Sequence, residues 1–112
     1  MSVHLVTSNA SGLLSAFKKA IIEKRIDTWS MSEDQKYFTH SPSQWNSLAW
    51  FSPSVQSDRL VFNIIKPNNK NVTDVVYAVY HGRLIESFLT HFDQSFTDGI
   101  ATALPQSNDR LA

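Results

Sequence analysis

The densest set of chemically capable side chains in the sequence is Tyr80-His81-Gly82-Arg83, followed closely by Glu86. A phenol, an imidazole, a guanidinium and a carboxylate within two helical turns can move a proton and hold an anion. The same spacing has a plainer reading. Arg83 and Glu86 lie three apart, as an ordinary surface pair on a helix does, and Tyr80 fits an apolar stripe with its hydroxyl at the rim. His40 and Trp45 join this group if the segment that carries them packs against the helix. The candidate ligand-binding set is therefore His40, Trp45, Tyr80, His81, Arg83 and Glu86.

Other chemistries find less support. His4, His40, His81 and His91 show no one-turn spacing, so no metal site is expected. Cysteine is absent, which removes thiolate catalysis, iron–sulfur clusters, zinc ribbons and disulfides. Ser87 and His91 fall four apart, but neighbours on one helix seldom form a nucleophile pair and there is no Gly-x-Ser-x-Gly elbow, so no catalytic residue is assigned. Gly12, Gly82 and Gly99 stand alone, without the spacing of a phosphate-cradling loop, and no cofactor is expected.

The elements that must position these residues follow from periodicity. Leu13, Leu14, Phe17, Ile21 and Ile22 predict an amphipathic helix over residues 9–25, capped by Asn9 or Ser11 and ending in Lys24-Arg25. Runs rich in aromatic and β-branched residues then predict an antiparallel meander with strands near 26–32, 36–40, 47–52 and 59–66, the stretch from Ser52 to Asp58 serving as a turn. After the polar break at 66–71, Thr73 caps a long helix running to about Phe96 and carrying the stripe Tyr77, Tyr80, Leu84, Phe88, Phe92 and Phe96. A strand at 75–80 followed by a turn at His81-Gly82 competes with this reading. Gly82 in mid-helix costs about 1 kcal/mol against alanine, which suggests a bulky neighbour such as Trp29 or Trp50 passing close to its backbone. Residues 105–112 lack apolar periodicity and are expected to form a flexible tail on a single α+β domain of residues 1–104.

A chain of 112 residues with 42% hydrophobic and 18% charged residues is long enough for one packed core and far from the composition of disorder. No stretch approaches the length that spans a bilayer, and no basic and apolar leader opens the chain, so a cytoplasmic location and no membrane partner are expected. Ten basic residues balance ten acidic ones, so the summed charge gives no long-range attraction for nucleic acid, and none is expected as a partner. The order helix, strands, helix matches that of double-stranded RNA-binding domains, but the second helix here is acidic and the analogy fails on charge.

Phe38-Thr39-His40, Gln44-Trp45, Ala49-Trp50-Phe51, the run Tyr77 to Glu86 and Thr90-His91-Phe92-Asp93 together resemble a group of small uncharacterised bacterial proteins. The resemblance covers about two-thirds of the chain and implies a bacterial cytoplasmic origin, with no activity or functional residue attached.

Aromatic residues occupy both strand parities, more than one helix-covered face can bury, so the leading expectation is a non-catalytic protein-interaction or scaffold domain, with a homodimer as one form of it. The alternative is a small-molecule or hydrolase-like pocket built on His40, Tyr80, His81 and Arg83.

Overall fold

The computed structural model describes residues 1–68 and 70–110. In chain order its elements are β1 (Ser2–Val6), α1 (Ala10–Ile22), β2 (Trp29–Met31), β3 (Phe38–His40), β4 (Trp50–Val55), β5 (Arg59–Ile65), α2 (Asp74–Phe92) and β6 (Asp98–Ala101). All six strands join one sheet in the order β2-β3-β4-β5-β1-β6, and each neighbouring pair is antiparallel. The α+β class agrees with expectation, and β2–β5 form an antiparallel meander near the expected positions, but it is part of a six-stranded sheet. A strand precedes α1 and another follows α2.

Strand alternation sorts the side chains onto two faces. Across the ladders Val3 opposes Phe62, Leu5 opposes Leu60, Phe51 opposes Ile64, Phe38 opposes Phe51 and Trp29 opposes His40, which places all of these on one face. Both helices cover that face. Phe17 of α1 is the hub of the core, with ring centroids 4.9 Å from Phe38, 5.9 Å from Phe62 and 4.7 Å from Phe88. The opposite face carries Trp50 against Ile65, Ser52 against Asn63 and Ser54 against Val61, and no helix covers it.

Helix boundaries follow local chemistry. The Asn9 side chain accepts from the Gly12 amide at 3.2 Å, so Asn9 rather than Ser11 caps α1. The helix ends at Ile22, short of Arg25, because Lys24 adopts a left-handed φ of 61° that closes the last turn. Thr73 caps α2 through its hydroxyl, as expected, and the helix is continuous through residues 75–82. It stops at Phe92 rather than Phe96. Phe96 nevertheless packs its ring edge-on to Phe88, at 6.3 Å, from the following turn, so the apolar stripe continues in space after the helix has ended.

β4 overturns the expected turn at Ser52-Pro53-Ser54-Val55, since these residues pair with β5. Proline is tolerated there because, among the described residues, β3 pairs with β4 only at Phe51, which leaves Pro53 on an unpaired side of the strand. The expectation for Gly82 also fails. A methyl group built on it would meet nothing within 4 Å, so neither Trp29 nor Trp50 approaches. Gly82→Ala is therefore expected to raise stability by about 0.5–1 kcal/mol through helix propensity, read as a higher urea midpoint at unchanged slope. A lower midpoint would contradict the open space seen at this position.

Residues 105–110 run back along the sheet. The Arg110 amide donates to the Ile64 carbonyl at 2.9 Å and the Lys66 amide donates to the Arg110 carbonyl at 2.7 Å, a parallel bridge beside β5. The Asp109 carboxylate accepts from Asn63 Nδ2 at 2.8 Å and lies 3.4 Å from the Met1 amino group. Residues 111–112 of the expected tail lie outside the described residues. Among the described residues no helix is long and apolar enough to cross a membrane.

Candidate functional site

His40 closes β3, where the ladder delivers its ring to the helix-covered face beside Trp29, with centroids 4.9 Å apart. Its Nδ1–H donates to the Thr28 carbonyl at 2.8 Å, which leaves the lone pair of a neutral ring on Nε2. Burial holds the His40 pKa below the usual value. The Thr28 carbonyl opposes that shift, Arg83 adds to it, and Glu86 opposes it. Arg83 and Glu86 line the same cleft as His40, so this stretch of α2 faces the end of β3.

The two elements enclose a cleft of about 270 Å³ lined by Thr28, His40, Pro42, Trp45, Arg83, Glu86 and Ser87. Arg83 donates from one nitrogen to both Glu86 oxygens at 3.2 Å, an exposed pair at the mouth. Deeper in, Ser87 Oγ accepts from Trp29 Nε1 at 3.1 Å. Tyr80 is fully buried beneath the cleft. Its hydroxyl donates to the Trp45 carbonyl and meets Thr39 Oγ1 at 3.0 Å, so it positions the loop that carries Trp45 and offers nothing to a ligand. His81 lies elsewhere, stacked against Tyr77 at 4.5 Å and edge-on to Phe51 at 5.1 Å. Of the six candidate residues, His40, Trp45, Arg83 and Glu86 line one cleft, Tyr80 supports it, and His81 is outside it.

Hydroxyl and imidazole meet at another place. Ser2 Oγ is 3.0 Å from His4 Nε2, but Arg59 donates to His4 Nδ1 at 3.2 Å. The neutral ring must then carry its proton on Nε2 and donate it to Ser2, the opposite of what a general base does. Ser87, for its part, makes no hydrogen bond to His40 among the described residues.

The second region was not legible as a site in the sequence. On the uncovered face, Tyr37, Trp50, Ile65 and Pro67 border a groove of about 510 Å³ that also takes in Lys66. A second groove, of about 250 Å³, shares Tyr37 and Ile65 and runs past Ser52, Asn63 and Arg110. A recess of about 320 Å³ beyond Tyr37 is lined by Lys18 and Lys36. The buried aromatic rings pair with one another through the core, whereas those of Tyr37 and Trp50 stack on no other ring among the described residues. The sequence signal for this surface was the parity of Trp50, Ser52 and Ser54 against Phe51 and Pro53, and it becomes informative only once the helices are known to share one face.

Comparison with known proteins adds no constraint. No family model, curated protein or solved structure matches this chain. A functional reading rests on the geometry of these two regions.

Proposed function

We propose that the protein is a non-catalytic interaction domain that binds its partner on the uncovered face of the sheet. The observation that carries this reading is the placement of both helices on one face, which leaves Tyr37 and Trp50 on the other with their rings unstacked. Large rings that add little to a fold's own core are suited to a partner's surface, because they supply contact area at low conformational cost. Lys66 and Arg110 flank them without an ion pair among the described residues, and two copies facing each other here would oppose like charges. That favours a partner of opposite sign over a second copy.

The test is a Tyr37→Ser/Trp50→Ser double variant, compared with the wild type after native purification and mass spectrometry of whatever travels with each. The variant should keep its urea midpoint to within about 1 kcal/mol of stability, as surface changes do, and lose the co-purifying species. A loss of stability like that of a core substitution, or an identical set of companions, would overturn the proposal.

A second reading, small-molecule binding, is supported by the cleft that gathers His40, Trp45, Arg83 and Glu86. The same mass spectra address it, since it requires a low-mass adduct that Trp45→Ala abolishes.

A further inference from the structure

We infer that the partner of the uncovered sheet face is a single-stranded nucleic acid, an inference that rests on the interaction reading above. The chain as a whole is neutral, with ten basic and ten acidic residues, but among the described residues cations outnumber carboxylates in the lining of the hollows beside Tyr37. Lys66 and Arg110 line the grooves over the sheet, and Lys18 and Lys36 line the recess that shares Tyr37. None of these four cations makes a salt bridge among the described residues. Among the described residues the one carboxylate lining these three hollows is Asp34, which accepts from the Ser32 hydroxyl at 2.6 Å and the Lys36 amide at 3.1 Å, while Asp109 behind Asn63 is paired with the Met1 amino group.

Charge alone would suit any polyanion, an acidic peptide included. The rings narrow the choice. Tyr37 directly precedes Phe38, which pairs with Phe51, so Tyr37 and Trp50 sit diagonally across β3 and β4, roughly 7–8 Å apart at their backbones. Two unstacked rings at that separation, on a sheet bordered by cations, can each take a base while lysine and arginine follow the phosphates. Around them Ser52 and Ser54 hydroxyls make no hydrogen bond among the described residues, and they meet base edges or sugars without requiring one sequence. A duplex keeps its bases stacked inside and offers this face phosphates alone. An acidic peptide satisfies the cations and leaves the rings without a stacking partner.

The experiment is fluorescence anisotropy of fluorescein-labelled decauridylate and decathymidylate with the full chain at 50 mM salt. Saturable binding is expected, weakening roughly 20- to 50-fold between 50 and 200 mM salt if three or four phosphates are neutralised. Trp50→Ser should weaken it about tenfold by removing one stacked base. Lys66→Ala/Arg110→Ala should reduce the slope of log affinity against log salt by about 1.4. A duplex of the same length should bind at least tenfold more weakly. Absence of binding at about 100 µM protein, tighter binding to the duplex, a glutamate decapeptide that binds as well as the oligonucleotides, or binding unchanged in Trp50→Ser would each overturn the inference. If the oligonucleotides fail while the Tyr37→Ser/Trp50→Ser variant still loses its co-purifying species, the partner is of another class and the interaction reading stands.

Discussion

Phe17→Ala should destabilise the protein by about 3–5 kcal/mol, measured as the shift in urea midpoint at constant slope. Phe17 has no exposed surface, and its ring meets Phe38, Phe62 and Phe88 within 6 Å and Phe92 at 6.5 Å. These partners come from β3, β5 and α2, so removing the ring opens a cavity where both helices and the sheet converge, and no single neighbour can fill it. A domain of this size has a total stability on the order of 5–15 kcal/mol, so the variant stands near the edge of folding. Phe17→Leu, which keeps much of the volume, should lose distinctly less. A loss below about 1 kcal/mol for the alanine variant would mean that α1 is not packed as described.

The second large effect is acid lability that begins near neutrality. His81 is buried, its Nδ1–H is committed to the Tyr77 carbonyl at 2.7 Å, and its Nε2 has no hydrogen-bond partner among the described residues. Burial lowers its pKa below the usual imidazole value, and the nearby carbonyls of Tyr77 and Met1 offset this only in part. The folded state therefore holds the ring neutral while the unfolded chain takes up a proton below about pH 6.5. Stability is present above that pH and falls as the pH drops from about 6.5 toward the lower folded value, by up to about 1.4 kcal/mol per pH unit for this one group. His40 and His4 are lowered in the same direction, chiefly by burial, with less weight because water reaches them more readily. His81→Phe removes the buried titrating group and keeps the ring packing, so urea midpoints measured from pH 7 to pH 5 should decline less steeply than in the wild type. Parallel declines would show that His81 is not the source.

The parts of the fold visible in the sequence were those with local periodicity. The Leu13–Phe17 stripe marked α1, and Tyr80, Leu84 and Phe88 marked α2, because helical burial repeats within one segment. β6 gave no such signal. Asp98-Gly99-Ile100-Ala101 has no buried residue, includes a glycine, and is a strand because β1 lies beside it, nearly the whole chain away in sequence. Pro53 misled, since a proline signals a turn unless the free edge of its strand is known. For the cleft, residue chemistry singled out His40, Trp45, Arg83 and Glu86, which do converge. It also singled out His81, one position beyond Tyr80, and the angular step of about 100° along α2 carries that ring to a different flank. Helical spacing sets Ser87 beside His91, whereas its hydrogen bond comes from Trp29, 58 residues earlier.

The position of β1 governs how the chain must assemble. Its neighbours are β5 and β6, so β1 leaves the ribosome before either of them and waits for partners that begin at Arg59 and at Asp98. Until β5 arrives, Val3 and Leu5 have no ladder, and the β2–β5 run can form by itself only the four of the six strands that are sequence neighbours. Closing such distant pairs spends chain entropy before any contact returns it, which places refolding on a scale of about milliseconds to seconds rather than microseconds. The nascent protein is thus exposed for longest at β1, whose edges stand open until β5 and then β6 are made. That is the surface a chaperone would find, and the one on which two unfinished chains would join.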